Sequence, residues 1–171
     1  KEKIGEEPFV IAEVGQNHNG DLDLAREYIR IFAFEGADAV KFQTHIASEE
    51  STAAEPWRVP FSKQDESRYN YWERMSFSRE SWSFLKARAE EKGLIFLSSA
   101  FSVMACDWLE ELDMPAWKVA SGEVYNEELL SRMERSRRPI ILSSGLNSFA
   151  LSEKLVNRFT AKGIDVALLH C

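Results

Sequence analysis

Short apolar runs that alternate with amphipathic stretches constrain the fold of this chain more than any other feature. The runs are nearly continuous and rich in β-branched residues, which is typical of strands buried on both faces of a parallel sheet. They lie at residues 9–12, 39–42, 94–97, 116–119, 140–142 and 166–169. Six buried strands are therefore expected.

Helical patterns fill the intervals between these runs. Asp21 can cap a helix that ends at Gly36, and Ser78 can cap a second that ends at Gly93. Further helical patterns cover about 103–112, 126–135 and 149–161. Regular strand–helix alternation predicts an α/β domain with a parallel sheet and right-handed crossovers.

One interval, residues 44–77, is much longer than the others. It contains two prolines, Pro56 and Pro60, and a group of aromatic side chains, Trp57, Phe61, Tyr69, Tyr71 and Trp72. Long loops are usually either functional or disordered, and the aromatic content favours a packed lid or a partner contact. No repeat, linker or low-complexity tract divides the chain, so residues 1–171 are expected to belong to one domain.

The composition excludes several classes of protein. Of 171 residues, 44 % are hydrophobic, and 21 basic against 28 acidic side chains give a net charge of −7 without a basic cluster. Nucleic acid is therefore not expected as a partner, because its recognition needs a basic face. No apolar run approaches the ~18 residues of a membrane helix. Two cysteines cannot form a disulfide framework, so a reducing cytoplasm is expected and Cys106 is assigned to an inert core.

Polar residues gather where the predicted strands end. In parallel α/β folds these positions line the active site, so their clustering predicts one polar site at one end of the sheet. The residues at these positions are Glu13, Gln16, Asn17, His18, Asn19, Lys41, Gln43, Thr44, His45, Ser98, Ser99, Ser102, Lys118, Ser121, Glu123, Ser143, Ser144, Asn147 and His170.

Two lysines, Lys41 and Lys118, interrupt otherwise apolar strands. Each could simply extend to the rim of the sheet with no further role. Because a desolvated ammonium group is costly without a partner, two lysines in equivalent places favour an anionic ligand instead. With Ser99, Ser121 and Ser144 they would form a cradle for a phosphate or a carboxylate.

Two carboxylates and three histidines leave alternatives open. Glu13 and Glu123 could pair with neighbouring lysines and hold the sheet together, or could bond sugar hydroxyls and transfer protons. His18 could be a structural histidine or a substrate donor. The spacing of His18, His45 and His170 matches no metal-binding motif.

Six sequence blocks resemble, in order and with the family's spacing, the sialic acid synthase (N-acetylneuraminate synthase) family. The blocks are IAEVGQNHNG at 11–20, GADAVKFQT at 36–44, GLIFLSS at 93–99, KVASGE at 118–123, RPIILSSG at 138–145 and LLHC at 168–171. The resemblance covers essentially the whole chain. The family often reads Ser-Thr-Pro where this chain has Ser98-Ser99-Ala100, which retains the hydroxyl.

The resemblance implies a (β/α)8 TIM barrel of which this chain holds about the first six βα units, without the family's C-terminal antifreeze-like domain. It implies condensation of phosphoenolpyruvate with an N-acetylated amino sugar, N-acetylmannosamine or a related bacterial sugar, with release of phosphate. It also implies a divalent metal, typically Mn2+, with histidine ligands downstream of this chain, and a homodimer of the full-length protein.

Roles carried over by motif position fall into two groups. The implied substrate-binding residues are Lys41, Ser99, Lys118, Ser121 and Ser144 for phosphoenolpyruvate, together with Asn17 and His18. The implied catalytic residues, which contact the sugar or the metal-bound water, are Glu13, Gln43 and Glu123.

Other hypotheses remain open beside this one. The chain could be a non-catalytic phosphoenolpyruvate- or sugar-binding fragment, or an assembly fragment without the metal site. It could also belong to a related synthase that uses a sugar phosphate, or to an aldolase that forms a Schiff base on Lys118. Since a typical closed barrel has about 250 residues, 171 residues predict a truncated synthase.

Overall fold

Six parallel strands and the helices between them make up the fold. The computed structural model describes residues 8–57, 59–60, 62–145 and 147–170. The strands are β1 (Ile11–Gly15), β2 (Ala39–Thr44), β3 (Ile95–Ala100), β4 (Trp117–Val119), β5 (Ile140–Ser143) and β6 (Val166–Leu169). The helices are α1 (Leu22–Phe34), α2 (Ala47–Glu50), α3 (Arg68–Met75), α4 (Arg79–Glu91), α5 (Val103–Glu111), α6 (Glu127–Ser136) and α7 (Phe149–Thr160).

The strands are hydrogen-bonded in chain order, from β1 to β6, and every neighbouring pair is parallel. Sequential order with right-handed crossovers places the connecting helices on the same face of the sheet. A doubly wound sheet would instead reverse its strand order at a switch point. The result is a curled, open half-barrel, and the predicted α/β class with a parallel sheet is confirmed.

Four of the six strands, β1, β2, β3 and β5, extend further towards their carboxyl ends than the apolar runs predicted. The prediction of a first strand at 9–12 was wrong by about two residues, because parallel pairing begins at Ile11 opposite Ala39. Phe9 and Val10 are half exposed, whereas Val14 is fully buried. Glu13 therefore lies within a strand, and its side chain is directed by the pleat of the sheet.

The helix boundaries follow the capping residues that the sequence indicated. The Asp21 carboxylate accepts hydrogen bonds from the backbone N–H groups of Asp23 and Leu24 at 2.8 and 3.0 Å. Ser78 caps α4 in the same way through the N–H of Ser81. Gly36 follows α1 with φ +81°, a conformation that favours glycine.

The two faces of the sheet differ in chemistry. On the helix-covered face, Phe42 packs against Phe96 and Trp82 with ring centroids 5.7 and 5.8 Å apart, within the main hydrophobic core. The opposite face carries Lys41 and Gln43 from the same strand, because successive side chains alternate between faces. We call this opposite face the inner face.

The long interval after β2 is packed against the neighbouring loop. It contains two short helices, α2 and α3, that the sequence did not predict, and the hydroxyl of Ser67 caps α3 through the N–H of Asn70. Arg74 donates to the side-chain oxygen of Asn19 at 2.7 Å. A Cβ on Gly20 would lie only 2.1 Å from the Arg74 carbonyl oxygen, so only glycine allows this approach. The interval is packed as expected, and its role as a lid or partner contact stays a prediction.

The remaining sequence expectations on the fold concern cysteines and membranes. Cys106 is fully buried, and burial raises the pKa of its thiol to about 12, consistent with an inert core position. Phe61 and Cys171 lie outside the described residues. None of the helices in the described part of the chain has the length and apolar character needed to cross a bilayer.

Candidate active site

A row of three polar side chains crosses the inner face. Gln43 on β2 is in register with Ser99 on β3, and Ser99 is in register with Lys118 on β4. Ser99 and Lys118 are only 2 % and 7 % exposed. Because register neighbours on one face of a sheet lie within side-chain contact distance, three of the predicted site residues come together here.

Oxygen acceptors hold Lys118 at the β4 end of this row. Its ammonium group donates to the Ser143 hydroxyl at 2.5 Å and to the Val119 carbonyl at 3.1 Å. The nearly complete burial of this cation increases the strength of its interaction with any anion that reaches the inner face. Lys118 is therefore suited to bind a phosphate or a carboxylate.

Lys41 and Glu13 form an ion pair one layer below the row. They are in register on β2 and β1, and the Lys41 side chain is 9 % exposed while that of Glu13 is 45 % exposed. A Cβ on Gly15 would lie 3.2 Å from the Glu13 carboxylate and 3.5 Å from the Gln43 amide nitrogen. Gly15 therefore leaves room for these two side chains to approach each other, and its φ of +54° also favours glycine.

The Gln43 carboxamide is in turn contacted by a buried histidine. The Nε2 atom of His45 lies 3.3 Å from Gln43 Oε1, and its Nδ1 atom lies 2.6 Å from a carboxylate oxygen of Glu50. The His45 ring is stacked between the rings of Trp72 and Phe101. This histidine was assigned no role from the sequence, and Glu50 was not singled out at all.

An open cavity of about 390 Å³ lies beside this cluster, at the carboxyl ends of β2, β3 and β4. Glu123 is half-buried at its wall and accepts a hydrogen bond from the Asn126 amide at 3.0 Å. The lining residues are Gln43, His45, Glu49, Glu50, Arg68, Trp72, Phe101, Glu123 and Asn126. Two of the three predicted catalytic residues, Gln43 and Glu123, thus share one cavity with aromatic walls and several hydrogen-bonding groups.

Two of the predicted cradle serines lie in turns beside the row. Ser121 is half-buried in the turn after β4. The Ser144 hydroxyl donates to the Leu169 carbonyl at 3.0 Å, which ties the end of β5 to β6. The Lys118 partner is Ser143, the residue before, because β5 continues to Ser143 and the alternation of side chains directs that residue to the inner face. The roles of Ser121 and Ser144 as phosphate ligands stay predictions.

Asn17 and His18 are not brought together with the lysines. Asn17 is exposed and donates to the Val14 carbonyl at 2.9 Å within its own turn. His18 is 0 % exposed, its ring lies 4.5 Å from that of Phe77, and its Nδ1 atom accepts from the Gly20 N–H at 3.1 Å. Burial and the nearby His45 lower the pKa of His18 to about 4, so the ring is neutral. These contacts favour the structural alternative for His18, and a role in substrate binding stays a prediction for both residues.

The described residues do not form a metal centre. Across the described part of the chain, no three His, Cys, Asp or Glu side chains converge closely enough to hold an ion.

Comparison with known proteins places this geometry in a family. Residues 28–171 match the model of the NeuB family. Human N-acetylneuraminate-9-phosphate synthase is 36 % identical over 98 % of this chain and 47 % of its own length. The N,N'-diacetyllegionaminic acid synthase of Campylobacter jejuni is 35 % identical over 95 % of this chain and 51 % of its own length. The chain thus spans about half the length of the curated relatives that it matches.

A solved structure agrees with these sequence matches. The N-acetylneuraminic acid (sialic acid) synthetase of Leptospira borgpetersenii serovar Hardjo-bovis, crystallised with citrate, has a TM-score of 0.83. It is 33 % identical in sequence, and the match covers 98 % of this chain and 55 % of the synthetase. A 3-deoxy-D-arabino-heptulosonate 7-phosphate synthase from Thermotoga maritima shares the fold at a TM-score of 0.63 and 12 % identity. From the family match and the identity to its relatives, this chain belongs to the NeuB family.

Proposed function

We propose that the protein carrying this chain condenses phosphoenolpyruvate with an N-acylated amino sugar and releases phosphate. The observation that carries the proposal is the pair of buried lysines, Lys41 and Lys118, which face the same side of the sheet beside Ser99 and Gln43. The names of the relatives support this reaction class, because several are synthases of sialic acid or of related sugar acids.

The lysines and hydroxyls of the inner face would bind phosphoenolpyruvate. Its phosphate and carboxylate are both anionic, and two buried ammonium groups match that charge. Lys118 is already oriented by the Ser143 hydroxyl, so little side-chain freedom is lost when the anion binds. Ser99 and Ser121 would add hydroxyl donors to the same surface, and Ser144 would do so by exchanging its bond to the Leu169 carbonyl for one to the ligand.

The acceptor sugar would occupy the neighbouring cavity. Glu123 and Gln43 present oxygen and nitrogen atoms that can bond sugar hydroxyls and an N-acyl group, and Trp72 and Phe101 supply apolar walls. In its open form the sugar presents an aldehyde carbon to phosphoenolpyruvate. Holding both substrates at adjacent strand ends would supply the proximity that the bond-forming step requires.

The reaction balances without an external oxidant or reductant. The methylene carbon of phosphoenolpyruvate forms a carbon–carbon bond to the aldehyde carbon, and the aldehyde oxygen takes up a proton. The former enol carbon becomes cationic and adds water, which loses a proton. The tetrahedral intermediate then breaks the bond between this carbon and the phosphate oxygen, its new hydroxyl gives its proton to the departing phosphate, and a keto acid and inorganic phosphate result. Glu13, at the inner face beside Lys41, is suited to accept one of these protons.

Several parts of the proposal concern the protein beyond the described residues. We extend the half-barrel to a (β/α)8 barrel, and we place a divalent cation, Mn2+ by the resemblance, on ligands outside the described residues. Such a cation would supply Lewis-acid chemistry at the aldehyde oxygen. Assembly as a homodimer and a cytoplasmic location complete the proposal.

The test uses the protein as its gene encodes it, with phosphoenolpyruvate, Mn2+ and either N-acetylmannosamine or a diacetamido sugar. We expect release of phosphate that depends on both substrates, together with a product whose mass equals sugar plus pyruvate. Borohydride treatment with pyruvate should leave the protein mass unchanged, since no Schiff base is involved. Binding of phosphoenolpyruvate without phosphate release from any acceptor would contradict the proposal and favour a binding module.

A further inference from the structure

His45 is held more rigidly than its position at a strand end requires. Its ring centroid lies 3.8 Å from that of Trp72 and 4.1 Å from that of Phe101, and the ring planes are inclined by only 22° and 18°. The residue is 3 % exposed. Two aromatic surfaces therefore restrict tilting of the imidazole plane.

A carboxylate fixes the rotation of the ring within that plane. Glu50 accepts from His45 Nδ1 at 2.6 Å through one oxygen and from the Ile46 backbone N–H at 2.8 Å through the other. Because a carboxylate only accepts hydrogen bonds, Nδ1 carries the hydrogen of this bond. The Gln43 carboxamide oxygen is also only an acceptor, so its contact with Nε2 requires a second hydrogen there, and the ring that makes both bonds is the protonated imidazole. Nε2 is thereby directed away from Glu50 and towards Gln43.

The Gln43 carboxamide is oriented by its neighbours. Its Oε1 atom lies 3.3 Å from His45 Nε2 and 3.4 Å from the Gln16 amide nitrogen. Its nitrogen would lie 3.5 Å from a Cβ added to Gly15, a position that is 3.2 Å from a Glu13 carboxylate oxygen. The oxygen of Gln43 is thus turned to the histidine, and its NH₂ group is turned to the inner face.

We propose that His45 is a positioning residue for Gln43. Supported by Glu50 and stacked between Trp72 and Phe101, it holds the carboxamide oxygen through Nε2 and keeps the amide NH₂ directed at the inner face. This orientation presents a donor, rather than an acceptor, to an oxygen of the acceptor sugar. The choice of that substrate rests on the proposed function, whereas the orientation itself rests only on the contacts above.

The kinetic test compares three substitutions of one residue. His45→Phe retains the stacked ring without its hydrogen bonds, and His45→Gln places an amide nitrogen near the position of Nε2. His45→Asn can reach Glu50 but not Gln43. We expect kcat/KM for the acceptor to fall about tenfold to a hundredfold in the Phe and Asn variants, the scale for a misplaced reactive group. His45→Gln should retain most of the wild-type kcat/KM for the acceptor. In all three variants, KM for phosphoenolpyruvate should stay within about twofold of the wild-type value.

A matched control separates positioning from general damage. The Ser76 hydroxyl lies 2.9 Å from the backbone carbonyl of His45 and 2.7 Å from that of Trp72, and it can donate to one of them at a time. Because it bonds the backbone and not the stacked rings, Ser76→Ala should leave kcat/KM near wild type. Should His45→Phe fail to fold, Glu50→Gln tests the same orientation with the ring retained, and a several-fold loss is expected. Wild-type kinetics in His45→Phe, or an equal loss in the Phe and Gln variants, would overturn the proposal.

A spectroscopic readout does not depend on turnover. In a 1H–15N NMR correlation spectrum, the side-chain NH₂ group of Gln43 gives a pair of cross-peaks, which is identified by its loss in Gln43→Glu. We expect this pair to shift in His45→Phe and to stay in place in Ser76→Ala. An unshifted pair in His45→Phe overturns the positioning role even if the enzyme is active. Absence of product from the wild type would instead overturn the proposed function and leave this result standing.

Discussion

The two faces of the sheet at strand β2 bury very different groups. A histidine from outside the strand lies beside each face. On the helix-covered face, Phe42 lies among aromatic rings, and His18 packs beside it with a neutral ring. The inner face carries Lys41 and Gln43, and His45 follows them just after the strand. The ring nitrogens of His45 contact the Glu50 carboxylate and the Gln43 amide. The difference teaches that burial alone does not identify a functional histidine, whereas its hydrogen-bond partners do.

This contrast has a physical basis. The helix-covered face gains free energy by removing apolar surface from water and tolerates few polar groups. The inner face carries buried polar groups that are costly unless each has a partner, so its side chains are held in fixed positions before a ligand arrives. Substitutions on the first face should therefore alter stability, and those on the second should alter binding and turnover.

The largest effect is expected on the helix-covered face. Phe42→Ala removes a fully buried ring and should lower the free energy of unfolding by about 3–5 kcal/mol. Urea denaturation measures this loss, with Phe42→Leu as a milder control. A loss below about 1 kcal/mol would contradict the assignment of Phe42 to the stabilising core.

On the inner face, Glu13→Gln should separate turnover from binding. Glutamine keeps the size of the side chain and an oxygen for Lys41, but it cannot take up a proton at neutral pH. We expect kcat with the amino sugar to fall about a hundredfold, while affinity for phosphoenolpyruvate changes by less than about twofold. Steady-state kinetics measures kcat, and calorimetry measures the affinity for phosphoenolpyruvate. Equal losses in both would give Glu13 a structural role.

A smaller effect is expected from the pH dependence of stability at His18. Its pKa is lowered from 6.5 to about 4 in the folded protein, so the unfolded chain binds more protons between these values. Stability from this residue is complete above pH 6.5 and is lost as the pH falls towards 4. Between pH 7 and 4.5 the loss should be about 2 kcal/mol.

The His18 contribution is isolated by comparison with His18→Gln, which does not titrate. Denaturant titrations of both proteins at the two pH values are needed, because carboxylates also titrate in this range. The wild type should lose more stability than the variant by the stated amount. Identical pH dependence in the two proteins would show that His18 is not buried in its neutral form.

Much of the fold and part of the site could be predicted from the sequence. The six strands and the caps at Asp21 and Ser78 were predictable because their signals are local. The approach of Gln43, Ser99 and Lys118 was also predictable, because the carboxyl ends of parallel strands meet at one edge.

Other features could not be predicted because they depend on register or on contacts between distant segments. The sequence predicts Ser144 for the cradle and no specific role for Ser143, whereas Lys118 donates to Ser143, since β5 extends one residue beyond its apolar run and side chains alternate. The bond between His45 and Glu50 requires the short helix α2, which has no side-chain cap and whose four residues are too few for a periodic apolar pattern. The stacking of Trp72 on His45 depends on the packing of the long interval.

The most direct test of the inner face as the phosphoenolpyruvate site is calorimetric titration of wild type and Lys118→Met. Methionine retains the length and apolar stem of lysine and removes only the charge and its hydrogen bonds. Loss of a desolvated charge partner should weaken phosphoenolpyruvate binding by about 2–5 kcal/mol, while thermal unfolding shows the variant folded. Unchanged affinity in the folded variant would contradict the assignment of this face to phosphoenolpyruvate.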